Sequence, residues 1–307
     1  MPFNDLRRAL VAAGIEPATT RPPGSQGRSD AAATRPARLV QDAEVQWTDV
    51  GGAETCPEPL AFLDGVQRHQ VVGYAGSSPL VAATVAAAVR ERRGRVLATV
   101  LEAREQLLLG RPAALAVAPP IDGVRQVELP DHEPEHPIRD LDAAVGAVDD
   151  ARSALEVATG DGYRRRSDNW VIIDGSLAES ALWAADARML GVSKSHATLP
   201  FEGPDLERYL RLPLGHRSSV FQPASRRFAP VYAWGLRLWQ WSGRDILFGL
   251  VRVEAAPTDE TLARVDQYSR WILAERAPVS APDARWDRLL YGIHSVEEYL
   301  RATLGTR

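Results

Sequence analysis

One short stretch constrains the fold of this 307-residue chain more than any other: Asn169 to Leu177, with the sequence NWVIIDGSL. Trp170 to Ile173 form an apolar run of aromatic and β-branched residues. The run is too short for a helix, so it predicts a buried strand. Asp174 follows directly, and Gly175 permits a tight turn at that point. Ligands and metals bind at the carboxyl edge of open α/β sheets, where such a turn lies.

A second stretch repeats this design. Pro59 to Gly65, PLAFLDG, is also an apolar run that ends in Asp-Gly, here Asp64-Gly65. An isolated Asp-Gly more often marks only a turn. Because the pattern occurs twice, we interpret Asp64 and Asp174 as candidate site residues that each end a strand.

Composition and charge exclude several classes of protein. The net charge of −4 excludes a strongly basic protein, so any nucleic-acid surface is local. The single cysteine, Cys56, cannot form an internal disulfide and suits a reducing compartment. No apolar run approaches the length of a membrane span, and residues 1–14 lack a signal-peptide core. We therefore expect a cytoplasmic protein without membrane contact.

The chain divides in composition near residue 55. Residues 16–38 are rich in Pro, Gly, Ser, Thr, Ala and Arg and contain almost no large apolar residue. Such a segment buries too little surface to offset its ordering entropy, so we predict a partly flexible N-terminal arm over residues 1–55. Its arginines either contact phosphates or keep the loop solvated. Residues 56–307 are expected to form one domain.

The hydrophobic pattern predicts an α/β domain with a mixed sheet. The segment 80–93 is compatible with a helix or a strand. The remaining predicted elements are strands at 60–64 and 69–74 across a short turn, a strand at 95–101, a helix beginning at 103, a loop over 119–137, a helix over 138–158 and strands at 170–174 and 189–192.

Three acids then form a set. Asp64 and Asp174 follow strands, and Glu156 lies on the predicted helix between them. A surface pair with Arg152, four residues earlier, is the alternative explanation for Glu156. Nucleases of the ribonuclease H type use such a set to hold two divalent ions. Mg²⁺ and Mn²⁺ prefer carboxylate oxygen, and two ions activate water and stabilise the leaving oxygen of a phosphodiester.

Five segments together resemble the motifs of the NurA nucleases: AFLDG, SALEVA, WVIIDGSL, MLGVSKSH and WDRLLYGIHSVEEYL. The residues that match the family's motifs, in order, are Asp64, Glu156, Asp174, Lys194 and His294. Two positions depart from the pattern. Val66 stands where the family has Ser, and Trp286 stands at a Tyr position and is followed by Asp287, where the family often has Pro. Trp286 cannot supply a phenol, although Tyr291 lies one turn onward.

The resemblance implies a ribonuclease H-like mixed sheet flanked by helices, with a flexible N-terminal arm and C-terminal helices. It implies a DNA nuclease dependent on Mn²⁺ (or Mg²⁺), with 5′→3′ exonuclease and single-strand endonuclease activity in DNA end resection and double-strand break repair. The implied partners are a second copy of the chain and a HerA-type hexameric ATPase. Metal would be held by Asp64, Glu156, Asp174 and His294, with Lys194 and His294 assisting at the phosphate.

Two of these residues have ordinary explanations as well. Lys194 is the only lysine beside 35 arginines, which suggests a point charge rather than a guanidinium fork, but a solvated lysine is the alternative. His294 ligates a metal, shuttles a proton or only packs a helix. Two other functions remain open: a catalytically inactive adaptor that dimerises and docks an ATPase, and an α/β phosphohydrolase acting on mononucleotides.

Overall fold

The computed structural model describes residues 33–94, 96–131, 135–224, 229–276 and 290–304. The strands in these ranges are β1 (Ala33–Thr34), β2 (Arg38–Leu39), β3 (Trp47–Asp49), β4 (Leu60–Ala75), β5 (Ser78–Arg93), β6 (Val96–Gly110), β7 (Val124–Glu128), β8 (Trp170–Asp174), β9 (Met189–Ser193), β10 (Thr198–Leu199), β11 (His216–Ser218), β12 (Phe221–Gln222), β13 (Tyr232–Arg237) and β14 (Leu250–Ala255). The helices are α1 (Pro112–Val117), α2 (Pro137–Arg164), α3 (Ala181–Ala185), α4 (Gly203–Leu210), α5 (Asp259–Glu275) and α6 (Tyr291–Leu304), with a 3₁₀ turn at Leu177–Glu179.

The described chain forms two compact units. The first unit contains residues 33–58 and Ile172–Tyr291, and the second contains Pro59–Val171 and the residues from Gly292 onward. One point of division therefore falls inside β8. Residues 56–307, predicted to form one domain, contain residues of both units.

The second unit is a mixed sheet covered by helices. β4, β5 and β6 are antiparallel neighbours, and β7 pairs with β6 in parallel. Alternate residues of β5, Val81, Ala83, Val85 and Ala87, face a core that also contains Val148 of α2. This alternation settles the open question about residues 80–93, which form a strand.

Three local predictions in this unit are wrong. The strands predicted at 60–64 and 69–74 are one continuous 16-residue strand, β4, without a turn between them. The helix predicted from residue 103 begins only at Pro112, because residues 96–110 pair with β5 as β6. The loop predicted over 119–137 contains β7. In each case pairing with a neighbouring strand overrides the local pattern.

The helix predicted over 138–158 is present and longer than expected. α2 begins with Pro137 in its first turn, where the missing N–H costs nothing, and continues to Arg164. Ala144, Val148 and Leu155 are buried on its inner side. Their spacing of four and seven residues is that of one helical face.

The first unit is also built around a sheet. Its strand order is β2-β12-β13-β14-β9-β8, and β11 pairs with both β13 and β3. Phe201, Tyr209 and Phe221 meet edge to face beside this sheet, with ring centroids 5.0–6.2 Å apart. Of the predicted arm, residues 38–39 and 47–49 contribute short strands to this sheet, and residues 33–34 pair with β10 in a separate two-stranded sheet. Residues 1–32 of the arm lie outside the described residues.

The predicted fold class is confirmed: the protein is α/β, with mixed sheets flanked by helices and with α5 and α6 near the C-terminus. The predicted strand at 170–174 is β8, and the predicted strand at 189–192 is β9. Within the described ranges, no helix combines the length and the apolar character needed to cross a membrane.

Candidate functional site

Asp64 and Glu156 belong to the second unit, and Glu156 lies over Gly65, the residue that follows Asp64. Asp64 is on β4 and is only 6% exposed, and Glu156 is on α2 with a side chain 12% exposed. The Glu156 carboxyl group lies directly over Gly65: a Cβ added to Gly65 would be 2.1 Å from Oε1 and 2.6 Å from Cγ of Glu156. Glu156 therefore faces the sheet, in space left by the missing side chain of Gly65.

The prediction that Asp64 ends its strand is wrong. Asp64 and Gly65 lie in the interior of β4, opposite Ala88 and Ala87 of β5, and the strand continues to Ala75. Gly65 is not among the glycines with positive φ. The glycine is needed for space and not for a turn, since no other residue would admit the Glu156 carboxylate.

Arg152 balances the charge of these acids. Its Nη1 donates a short hydrogen bond to Oε1 of Glu156, the pairing between residues four apart on α2 that the sequence suggested. Burial lowers the pKa of the Arg152 guanidinium, but Glu156, Asp64 and Asp149 outweigh this, so its pKa is raised. One cation thus offsets the charge of several carboxylates. Glu156 is both paired with Arg152 and turned towards the sheet.

Asp174 forms a second charged group, in the first unit. It ends β8 as predicted, and Gly175 follows with φ of +140°, a conformation that favours glycine. Lys194 follows β9, and its Nζ lies 2.8 Å from Oδ2 of Asp174. The Lys194 side chain is 11% exposed and that of Asp174 is 25% exposed, so Lys194 is a largely buried, paired lysine.

The turn after Asp174 rests on a residue that the sequence did not indicate. Glu254 on β14 is 1% exposed. Its Oε2 accepts hydrogen bonds from Ser176 Oγ at 2.7 Å and from the Leu177 backbone N–H at 3.0 Å. Its other oxygen, Oε1, accepts from Arg252 Nε at 3.0 Å. No local sequence signal marks Glu254, because it lies in an ordinary apolar strand, LVRVEA.

His294 lies on α6, near the start of that helix. Its Nε2 is 3.3 Å from Oε1 of Glu298, and its Nδ1 is 3.9 Å from Oε2 of Glu297. Nδ1 is buried and has no hydrogen-bond partner among the described residues. Trp286 and Asp287, the two departures from the family pattern near this helix, lie outside the described residues, and Tyr291 is 55% exposed.

The donor set fits a hard divalent cation. Asp64 and Glu156 are largely buried carboxylates, and both act on the charge of Arg152. Arg152 supplies positive charge, and Mg²⁺ or Mn²⁺ would be held by the same oxygens. In the described part of the chain, no group of three or more His, Cys, Asp and Glu side chains is arranged to hold a metal ion. In the second unit, the carboxylates available to such an ion are therefore those of Asp64 and Glu156.

The whole chain was compared with protein families, with curated proteins and with solved structures. No family model matches the sequence, and no curated protein matches it. Among solved structures, the fold is similar to the crystal structure of the NurA nuclease from Sulfolobus solfataricus, with 12% sequence identity and a TM-score of 0.46. The similarity covers 85% of this chain and 88% of that chain.

Proposed function

We propose that this protein is a metal-dependent DNA nuclease that hydrolyses phosphodiester bonds. The observation that carries the proposal is the Glu156 carboxylate seated over Gly65, the residue that follows the buried Asp64, with both acids acting on Arg152. Burying two acids near one arginine is costly, and the arrangement is useful where a divalent cation is bound. A glycine kept inside a strand to admit a carboxylate is costly to the strand as well.

The residues proposed for catalysis are those that match the family motifs: Asp64, Glu156, Asp174, Lys194 and His294. The four proposed metal ligands are Asp64, Glu156, Asp174 and His294. Divalent ions bound there would activate the attacking water and stabilise the leaving oxygen. Lys194, held by Asp174 at 2.8 Å, carries a positive charge suited to a phosphate oxygen. Arg152 offsets the charges of Glu156 and Asp64.

The finer parts of the proposal rest on the motif resemblance. They are Mn²⁺ (or Mg²⁺) as the ion, 5′→3′ exonuclease and single-strand endonuclease activity, and a role in DNA end resection and double-strand break repair. They also include a homodimer, a HerA-type hexameric ATPase as partner and a cytoplasmic location. Cys56 is buried and forms no disulfide in the described part of the chain, which is compatible with a reducing compartment.

The proposal is tested by digesting end-labelled single-stranded and duplex DNA with and without Mn²⁺. The wild type is expected to cut only with Mn²⁺, and Glu156→Gln is expected to lose cleavage because a neutral amide does not hold the ion as a carboxylate does. Asp142→Asn is a matched control, because Asp142 is an exposed acid on the same helix. The control should cut like the wild type.

Two results would replace this function. A wild type that cuts no DNA but binds a hexameric ATPase, with binding unaffected by Glu156→Gln, would establish the inactive adaptor. One observation favours that alternative: Glu156 and Asp174 each already pair with a basic side chain. Hydrolysis of mononucleotides without cleavage of DNA would establish a phosphohydrolase of small substrates.

A further inference from the structure

We infer that Glu254 is a positioning residue for Asp174, acting through the turn Gly175–Leu177. The inference rests on the proposed nuclease function and names a residue that the motifs do not contain. Oε2 of Glu254 accepts from both Ser176 Oγ, at 2.7 Å, and the Leu177 N–H, at 3.0 Å. The two donors immediately follow Asp174-Gly175, so Glu254 fixes the backbone that leaves the candidate catalytic strand.

Gly191 makes this contact possible. In the sheet, Gly191 of β9 is the direct partner of Glu254 on β14. A Cβ added to Gly191 would lie 2.8 Å from the carbonyl oxygen of Gly175 and 3.2 Å from the backbone nitrogen of Leu177. The turn therefore folds down against β9 at the one strand position without a side chain, within reach of Glu254.

Further hydrogen bonds complete the restraint. The N–H of Gly175 donates to the carbonyl of Val192 on β9 at 3.1 Å. The Ser176 hydroxyl, besides donating to Glu254, accepts from the N–H of Ala178 at 3.2 Å. Gly175, Ser176 and Leu177 are thus each tied to β9 or β14, while Lys194 holds the Asp174 carboxylate itself. Asp174 is fixed from its backbone and from its side chain.

The charge of Glu254 matters as well as its shape. One carboxylate oxygen accepts the two turn donors, and the other accepts from Arg252 at 3.0 Å. An amide in this place would offer one acceptor oxygen and an NH₂ group to three N–H and O–H donors. At 1% exposure no solvent compensates for a lost acceptor, so the turn would shift. Groups that orient metal-binding carboxylates in this way typically tune the ion's affinity.

The test compares Glu254→Gln, Ser176→Ala and the double variant with the wild type. In each variant, the Mn²⁺ concentration giving half-maximal cleavage of single-stranded DNA is expected to rise about tenfold. This is the smaller of the losses in metal affinity that are typical when a residue supporting a metal ligand is replaced. The KM for DNA is expected to stay unchanged. Because both substitutions break the same interaction, the double variant should be no worse than the worse single one. Ser176→Ala also provides the test if Glu254→Gln does not fold.

Asp205→Asn is the matched control. Asp205 is a carboxylate of the same unit that accepts from a backbone N–H, that of Val45 at 3.0 Å, and from an arginine, Arg208 at 3.2 Å. It takes no part in the turn after β8. We expect the half-maximal Mn²⁺ concentration of Asp205→Asn to match that of the wild type. If it rose as much as that of Glu254→Gln, the rise would reflect general destabilisation, and the inference would be overturned.

Amide hydrogen exchange separates this inference from the proposed function. Glu254→Gln is expected to speed exchange at the Leu177 amide, because a single amide oxygen must then serve the three donors that now share two carboxylate oxygens. If the wild type cuts nothing, the nuclease proposal fails, and exchange at Leu177 alone judges the role of Glu254. Unchanged exchange, or an unchanged Mn²⁺ response in an active enzyme, overturns the inference.

Discussion

Two identical dipeptides, Asp64-Gly65 and Asp174-Gly175, have opposite structural roles. Asp64-Gly65 continues straight through β4, paired with β5 on both sides of the dipeptide. Asp174-Gly175 ends β8 and turns, with φ of +140° at Gly175. In the first case glycine is required because it has no side chain, and in the second because of its backbone freedom.

The comparison shows how each unit secures a candidate catalytic acid. In the second unit, Gly65, which follows Asp64, leaves room for the Glu156 carboxyl group. In the first unit, the room is left by a different glycine, Gly191, which admits the turn that Glu254 holds. Each arrangement includes a basic side chain that offsets the buried charge, Arg152 in one unit and Lys194 in the other. Arg152 offsets the charge of three acids, Glu156 first among them, whereas Lys194 is hydrogen-bonded to Asp174 itself. The two acids should therefore respond alike in catalysis and differently in stability.

The largest expected effect tests this distinction. Asp64→Asn and Asp174→Asn should both reduce Mn²⁺-dependent cleavage to background, because each removes a proposed ligand. Without metal, Asp64→Asn should leave the melting temperature nearly unchanged, because Arg152 keeps Glu156 and Asp149 as partners. Asp174→Asn should lower it by about 2 °C, because Lys194 loses its carboxylate partner. Melting curves recorded beside the cleavage assay give both quantities.

The opposite ranking of stability would contradict the charge assignment. A strongly destabilised Asp64→Asn would mean that Asp64 has a structural role in β4. Residual cleavage by Asp174→Asn would place the reaction elsewhere. Asp142→Asn, an exposed acid on α2, controls for the change of charge.

Gly65→Ala is expected to have the next largest effect. Its Cβ would occupy the place of the Glu156 carboxyl group, which must move away. Displacing a catalytic group by about 1 Å costs roughly a hundredfold in rate, and overpacking costs about 1–3 kcal/mol of stability. Cleavage rate and denaturant unfolding measure the two effects.

Gly73→Ala is the control for that substitution. Gly73 lies in the same strand, has no positive φ, and has nothing within 4 Å of an added Cβ. It should cut DNA at the wild-type rate. If Gly65→Ala also retained the wild-type rate, the position of Glu156 over Gly65 would be irrelevant to catalysis.

The sequence predicted the elements that local pattern determines. β8 was predictable because a short apolar run is bounded by polar residues and Asp-Gly, and α2 because its apolar residues recur every three or four positions. β4 was not, since Asp-Gly in its interior has the local appearance of a turn. Its continuity depends on β5, whose partners Ala87 and Ala88 lie more than twenty residues away in the sequence.

The candidate site was predictable in its residue types more than in its contacts. The repeated Asp-Gly and the helical Glu156 mark the acids, and β9 marks the place of Lys194. Glu254 carries no such mark, because its partner Ser176 is 78 residues away and its strand is ordinary. The seat of Glu156 on Gly65 likewise depends on packing of α2 against β4, which periodicity does not specify.

Gly175→Ala should act mainly on stability. An alanine at φ of +140° is strained, and such strain costs about 1–3 kcal/mol. Because the turn leads from Asp174 to Ser176, the Mn²⁺ response should also weaken. Gly76→Ala is the control: Gly76 also has a positive φ, +63°, with open space around an added Cβ, but it lies in a different turn. It should lose stability without a change in the Mn²⁺ response, and a change equal to that of Gly175→Ala would show that strain alone produces the effect.

The smallest expected effect concerns Arg152. Its guanidinium offsets the charges of Asp64, Asp149 and Glu156, as its raised pKa indicates. Arg152→Gln should therefore lower the melting temperature without metal by about 2 °C. Mn²⁺ supplies positive charge to the same carboxylates, so it should restore most of that loss, and its stabilising effect should be larger in the variant than in the wild type. The measurement is the difference in melting temperature with and without Mn²⁺ for both proteins. An Mn²⁺ effect equal in the two would mean that the ion and Arg152 serve different groups, and Glu156 would then be a partner of Arg152 and not a metal ligand.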